Sequence, residues 1–261
     1  MTGAPERERT RAQIPQRTLQ VDNWLAQPIV TASILSAFIV YAVWVILANG
    51  HYSSGPYISP FYSPNLTDVG AHGWGWVSWP AWITPSLLII WIPMGFRFTC
   101  YYYRKAYYRA FWQSPTACAV SEPHRKYTGE SRFPLVFVQN MHRYFFWLAA
   151  VLNVVLTYDA VIAFRDYDGN WGHMGLGTVV LIVNAALLWM YTLSCQACRH
   201  AIGGRLKHFS RNPIRYRLWT WISRINPHHQ RMAWISLFWV AFTDFYIRML
   251  SMGVINDLRF F

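Results

Sequence analysis

The segment RFTCYYYRKAYYRAFWQSPTAC, residues 97–118, follows an apolar run that is long enough to enter a membrane. It interleaves four basic residues with eight aromatic rings, and it contains Cys100 and Cys118. A cationic aromatic segment of this kind suits the membrane–water interface, where rings lie at headgroup depth and basic groups face water and anionic lipid. Thiols at the same depth indicate a metal or redox centre in addition to an anchor.

The composition of the whole chain favours a polytopic membrane protein. Of its 261 residues, 54% are hydrophobic and only 13% are charged, whereas a soluble domain carries roughly 25% charge. The net charge of +12 lies in blocks between apolar runs, which argues against nucleic acid as a partner. The first 22 residues are polar and contain no apolar segment typical of a cleaved signal peptide.

The hydropathy pattern predicts an all-α integral membrane protein, a single bundle of five transmembrane helices over residues 23–261 preceded by a cytoplasmic segment, residues 1–22. The five predicted spans are about 28–49, 82–98, 141–164, 176–198 and 232–250. The N-terminal segment and the loops 97–143 and 199–231 hold 20 of the 23 Lys and Arg residues. The positive-inside rule therefore predicts a cytoplasmic N-terminus and a C-terminus on the outer side.

This orientation brings all four cysteines to the cytoplasmic side, where thiols are normally reduced or bound to metal. Cys195 and Cys198 are three residues apart and would share a face of one helix. The residues predicted as metal ligands in this layer are Cys100, Cys118, Cys195, Cys198, His142 and His200. Soft thiolates favour an iron–sulfur cluster or zinc. The alternative is that the cysteines are unrelated small apolar residues at helix ends.

Other residues restrict the chemistry further. No predicted span has a histidine at its centre, which disfavours haem b held by two histidines in the middle of the membrane. Asp159, Asp244 and Arg248 are ionisable groups inside spans, and the spacing of the last two predicts an ion pair. Tryptophan and tyrosine crowd both interfaces. An aromatic belt explains most of them, and a quinone pocket would use two or three.

Two stretches resemble a known family. CYYYRKAYYRAFWQSPTACAVSEPHRKYTGESRFPLVFVQNMHRYFFW, residues 100–147, and SCQACRHAIGGRL, residues 194–206, resemble the membrane-anchor (cytochrome b-like) subunit of succinate dehydrogenase, a succinate:quinone oxidoreductase, of the actinobacterial five-span type. The resemblance implies a multi-pass protein of the bacterial plasma membrane. It also implies flavoprotein and iron–sulfur partner subunits on the cytoplasmic face, and either a further small membrane subunit or a homo-oligomer.

The resemblance further implies a place in the tricarboxylic acid cycle and the respiratory chain. FAD in the flavoprotein oxidises succinate, and electrons pass through iron–sulfur clusters to a quinone, expected to be menaquinone, at the anchor. It implies a membrane [2Fe–2S] cluster rather than haem b, held by members of the Cys/His set above: two Cys with two His would be Rieske-like, and four Cys would be ferredoxin-like. Rival interpretations are an anchor of another iron–sulfur oxidoreductase, or a non-redox scaffold or transporter.

We expect two quinone sites. The inner site is predicted at Tyr103, Arg104, His142 and Arg143, where the iron–sulfur subunit would dock, and a second, outer site at His51, Trp76 and His173.

Overall fold

The computed structural model describes residues 23–67, 80, 83–115, 134–204 and 206–261. Cys118, Trp76 and the segment 1–22 lie outside the described residues. The described residues form nine α-helices: α1 (Ala26–Ala48), α2 (Pro85–Ile89), α3 (Trp91–Thr99), α4 (Tyr101–Trp112), α5 (Asn140–Ile162), α6 (Leu176–Leu193), α7 (Gln196–Gly203), α8 (Pro213–Ile225) and α9 (His229–Ser251). A π-helix (Pro134–Gln139), two 3-10 turns (Phe209–Arg211 and Asn226–His228) and a small hairpin of β1 (Ser53–Ser54) and β2 (Tyr57–Ile58) complete them.

Among the described residues, four helical stretches are long and apolar enough to cross a membrane. They are Ala26–Ala48, Phe137–Ile162, Leu176–Leu193 and Pro213–Ser251. Many large apolar side chains on these helices face outward, as lipid-facing residues do, and α1 is the most exposed of the four. The prediction of an all-α membrane protein is confirmed.

The structure divides two of the predicted spans. The range 82–98 contains α2 and α3, which meet at Ile90. Pro93 has no N–H to donate to the carbonyl of Ile89, where α2 ends, so the sequence itself interrupts the helical hydrogen bonds at this point. The range 176–198 contains α6, which ends at Leu193, and the start of α7.

The helices pack as a bundle in which α6 lies between α5 and α9, α3 packs on α5, and α1 packs on α4. One apolar cluster surrounds Cys100 and Cys195, and we call that end of the bundle the cysteine end. A second cluster, around Tyr57 and Ile247, lies towards the opposite end. The chain is therefore tightly packed at both ends of its long helices.

The loop after α1 closes the opposite end with polar contacts. Asp244 and Arg248 of α9 form the predicted ion pair, with 2.7 Å between Oδ2 and Nε. Ser59 and Tyr41 both donate to the same carboxylate, and Arg248 also donates to the carbonyl of Gly50 at 2.7 Å. The buried charges are thus partnered inside the protein instead of facing lipid.

Candidate functional site

Two cysteines occupy equivalent positions at the cysteine end. Cys100 lies between α3 and α4, and Cys195 lies between α6 and α7, each at the N-cap of the second helix. Their backbone angles are almost the same, with φ −65° and ψ 132° at Cys100 and φ −66° and ψ 143° at Cys195. This extended conformation ends one helix and redirects the chain into the next. It separates Cys195 from α6. Contrary to the prediction, Cys195 and Cys198 are therefore not part of one continuous transmembrane helix.

Each of these cysteines faces a histidine that lies at the start of another long helix, α5 or α9. His142, near the start of α5, lies 3.1 Å from Cys195 between Nε2 and Sγ. His229, the first residue of α9, lies 3.5 Å from Cys100 between the same atom types. The two Cys–His pairs therefore bring together α3, α5, α6 and α9 at one level of the bundle.

A hydroxyl residue before each cysteine sets the tautomer of the opposite histidine. Thr99 donates its hydroxyl hydrogen to the carbonyl of Gly95 at 2.7 Å, so its oxygen accepts from His142 Nδ1 at 2.9 Å. Ser194 donates to the carbonyl of Tyr191 at 3.1 Å, and its oxygen accepts from His229 Nδ1 at 2.9 Å. With Nδ1 protonated, both Nε2 lone pairs point towards a sulfur, which is the arrangement of a metal-binding imidazole with a fixed outer contact.

An aromatic ring stacks on the histidine of each Cys–His pair. Phe96 stacks on His142 with centroids 4.7 Å apart, and Tyr191 stacks on His229 at 4.9 Å. The Phe96 and Tyr191 rings contact each other at 5.1 Å. Each ring lies four residues before the cysteine of its own segment, so that the chain repeats an aromatic-x-x-hydroxyl-Cys motif as FRFTC and YTLSC. This repeat is the sequence signal that would have identified the two pairs, including His229, which was not among the predicted ligands.

Of the other predicted ligands that the structure describes, Cys198 belongs to the same buried cluster as Cys100 and Cys195, and neither Cys198 nor His200 forms a Cys–His pair. Cys198 is buried in α7, and burial raises the pKa of its thiol. Burial, followed by smaller effects including the nearby Cys100 and Cys198 thiols, raises the pKa of Cys195 to about 12. His200 is exposed on α7. Among the described residues, no three Cys, His, Asp or Glu side chains converge to hold a single metal ion.

A long apolar cavity of about 480 Å³ begins beside the two pairs. It runs between α1, α3, α4, α5, α6 and α9 towards Pro60 and Phe61 at the opposite end. Several residues of its wall are outward-facing, including Ile39 and Met94, which are 56% and 60% exposed. A lipid-soluble molecule can therefore enter from the bilayer between α1 and α3.

The cavity is polar at its cysteine end. There Arg97 donates to the Tyr103 hydroxyl at 2.5 Å, to the carbonyl of Ala233 at 3.1 Å and to Ser236 at 3.1 Å. Its guanidinium lies 5.0 Å from the centre of the Tyr191 ring. Burial raises the pKa of Tyr103 to about 12, so its hydroxyl remains neutral at physiological pH, and it donates its hydrogen to the carbonyl of Ala233 at 2.6 Å. Phe96 and Tyr191 belong both to this wall and to the Cys–His stacks.

Of the predicted inner-site residues, the cavity wall includes only Tyr103. Arg104 is buried, and its guanidinium donates to the side-chain oxygen of Gln139. His142 lies behind Phe96, and exposed Arg143 lies 5.3 Å from the centre of the Tyr144 ring. The prediction missed Arg97 because it counted this residue with the interfacial cations.

The structure does not bring the described residues of the outer site together. His51 is exposed and lies 3.5 Å from Ser251. His173 is buried, with its Nε2 3.3 Å from the Tyr57 hydroxyl. An outer quinone site at these residues stays a prediction.

The fold and the site together define a multi-pass α-helical membrane subunit. Its lipid-accessible cavity lies beside two Cys–His pairs. The chain belongs to the family of actinobacterial succinate dehydrogenase subunit SdhC, whose model matches residues 26–253. It is similar to a chain of the Mycobacterium smegmatis Sdh1 complex in the apo form, with 49% identity, a TM-score of 0.83 and 97% of each chain covered. No curated protein matches it. The resemblance predicted above is confirmed: the chain is a membrane-anchor subunit of an oxidoreductase, succinate dehydrogenase, in the bacterial inner membrane.

Proposed function

We propose that this subunit delivers electrons to a quinone whose head group accepts a hydrogen bond from Arg97 and lies beside Tyr103. The observation that carries the proposal is the apolar, lipid-accessible cavity whose wall includes Arg97 and Tyr103 at the end beside the Cys–His layer. A quinone has an isoprenoid tail, which suits the apolar length of the cavity, and carbonyl oxygens, which need donors. Pockets of this type use a few placed polar groups to orient an otherwise apolar ligand.

Arg97 is prepared for this role by its own contacts. Its bonds to Tyr103, Ala233 and Ser236 use three of the five N–H donors of a guanidinium and fix the orientation of the remaining ones. A charged donor makes a stronger hydrogen bond than a neutral one, and its strength rises as negative charge develops on the acceptor oxygen. Arg97 therefore stabilises the head group as it is reduced.

We further propose that Cys100, Cys195, His142 and His229 hold the [2Fe–2S] cluster implied by the resemblance. Two thiolates and two imidazoles are the ligand types and number of a Rieske centre, and both histidines present Nε2 towards sulfur. Cys100, Cys195, His142 and His229 would hold the cluster together from the ends of α3, α6, α5 and α9. When bound, the cluster would supply one-electron transfer beside the cavity. The chain's own contribution is to orient the imidazoles and exclude water.

The orientation, span count and partners complete the proposal. The excess of Lys and Arg in the loops at the cysteine end supports a cytoplasmic location for that end. With α2 and α3 together as the second crossing, the chain crosses the membrane five times and its C-terminus is outside. The flavoprotein and iron–sulfur subunits would then bind at the cysteine end, within reach of the Cys–His layer. Menaquinone is the quinone that we expect.

The test compares two arginine variants in the complete succinate dehydrogenase complex. Arg97→Leu removes the donor in the cavity wall, and Arg143→Leu removes an exposed arginine outside it. We expect Arg97→Leu to lower kcat/KM for a short-chain quinone by about 10- to 100-fold, the effect of losing a charged hydrogen bond. Reduction of a soluble dye by the flavoprotein should be unchanged in both. Equal quinone kinetics for Arg97→Leu and wild type would refute the site, and a defect in Arg143→Leu alone would favour the residues predicted from sequence.

A further inference from the structure

The cavity wall contains a second polar point beyond Tyr191. Asn153 of α5 and Thr192 of α6 both line the cavity, although both are more than nine-tenths buried. They are hydrogen-bonded to each other, with 2.9 Å between Asn153 Nδ2 and Thr192 Oγ1. Asn153 Nδ2 also donates to the carbonyl of Leu188 at 3.2 Å. The surrounding wall is apolar, including Leu152 and Leu156.

These contacts leave one donor and one acceptor unused. Asn153 spends both of its N–H donors on Thr192 and Leu188, and its Oδ1 accepts no hydrogen bond from any residue that the structure describes. Thr192 only accepts in this pair, and its own hydroxyl hydrogen is not donated to another described residue. Because both residues line the cavity, this unused donor and acceptor are available to a polar ligand atom there.

The position of the pair identifies that atom. Thr192 follows Tyr191, whose ring lies under the Arg97 guanidinium at 5.0 Å. A head group that gives one oxygen to Arg97 would extend past Tyr191 towards Thr192, which lines the same cavity. The two oxygens of a quinone lie on opposite sides of its ring, and both change from acceptor to donor when the quinone is reduced to the quinol.

We propose that Thr192 and Asn153 bind the second oxygen of the head group in both redox states. Thr192 donates to that oxygen while it is a carbonyl, and Asn153 Oδ1 accepts from it once it is a hydroxyl. This proposal rests on the proposed quinone site and names the two residues that recognise the oxidised and the reduced head group. The Thr192–Asn153 pair therefore keeps the ligand in place while the head-group oxygen changes from a hydrogen-bond acceptor to a donor.

The experiment uses the complete complex, a short-chain menaquinone analogue as electron acceptor, and the corresponding quinol as product inhibitor. Thr192→Val keeps the side-chain shape and removes the donor, whereas Asn153→Leu removes the acceptor. The matched control is Thr157→Val, because Thr157 bonds to the Asn153 carbonyl at 2.7 Å and to Trp189 at 2.9 Å but is not part of the cavity wall. Dye reduction measures assembly in every sample.

We expect Thr192→Val to raise KM for the quinone by about 2- to 10-fold, the effect of one neutral hydrogen bond, with a smaller effect on quinol inhibition. Asn153→Leu should raise the inhibition constant of the quinol by a similar factor. Thr157→Val should change neither, and Thr192→Ser should restore the wild-type KM. If the two residues had a purely structural role, each variant would change the KM for the quinone and the inhibition constant of the quinol together, and Thr192→Val and Asn153→Leu would behave alike.

The outcomes distinguish this proposal from the one on which it rests. If Thr192→Val binds quinone and quinol as Thr157→Val does, while Arg97→Leu is defective, the second contact is refuted and the quinone site stands. If Arg97→Leu is also normal, the quinone site itself is wrong. Should Asn153→Leu not assemble, the comparison of Thr192→Val with Thr157→Val decides.

Discussion

Replacement of Asp244 by asparagine tests the account of the end opposite the cysteines. Asp244 is 0% exposed and Arg248 is 2% exposed. The carboxylate accepts from Arg248, Tyr41 and Ser59. Asparagine preserves the volume but removes the negative charge, so the Arg248 guanidinium remains buried without a counter-ion.

The expected cost follows from that burial. Removing one partner of a buried ion pair costs about 3–5 kcal/mol, mainly because the other charge is left uncompensated. For a chain of this size, each kcal/mol lowers Tm by about 2–4 °C. Asp244→Asn should therefore lower the melting temperature of the anchor by roughly 6–20 °C.

The assay is thermal unfolding of the purified complex in detergent, followed by the loss of quinone reduction after heating. Asp168→Asn is the control, because Asp168 is an exposed aspartate in the loop before α6, and it should melt as wild type does. The double variant Asp244→Asn/Arg248→Met also removes the uncompensated charge, and it should recover at least half of the loss. Melting of Asp244→Asn within about 2 °C of wild type would show that the pair does not hold this end together.

Three further changes test the packing and the Cys–His layer. Gly95→Ala should destabilise the anchor by about 1–3 kcal/mol in the same melting assay, because a Cβ there would lie 2.2 Å from the Phe145 ring. Thr99→Val removes the acceptor for His142 Nδ1 and should weaken cluster retention about 10- to 100-fold, measured as iron per complex during chelation; full retention would contradict the tautomer argument. Ser194→Ala should have a similar effect through the other imidazole, whereas a defect in only one of the two variants would argue against equivalent pairs.

Local sequence patterns were sufficient for much of the fold. Long apolar runs predicted α1, α5, α6 and α9 because a transmembrane helix satisfies its own backbone hydrogen bonds and needs only lipid-compatible side chains. The Asp244–Arg248 pair was predicted for a similar reason, since residues four apart meet on one helix whatever the rest of the fold. The interruption between α2 and α3 also has a local cause in the sequence, because Pro93 cannot donate a helical hydrogen bond.

The site was harder to predict because it depends on contacts between distant segments. Cys100 and His229 are 129 positions apart, and no local rule pairs them. His229 also lies within the basic segment 199–231, far in the sequence from both cysteines of the pairs. Arg97 reaches the cavity because α3 packs against α5 and the Arg97 guanidinium bonds to Ala233 and Ser236 of α9. The repeated aromatic-x-x-hydroxyl-Cys motif was the one local sign, and its meaning depends on the cross-pairing seen in the structure.

The central claim is that two Cys–His pairs form the redox centre beside the quinone cavity, and low-temperature EPR of the purified complex tests it most directly. We expect a [2Fe–2S] signal beyond those of the partner subunits, lost in Cys195→Ser and His229→Ala but retained in Cys198→Ser and His200→Ala. A signal that survives His229→Ala, or that disappears in Cys198→Ser, would contradict this assignment.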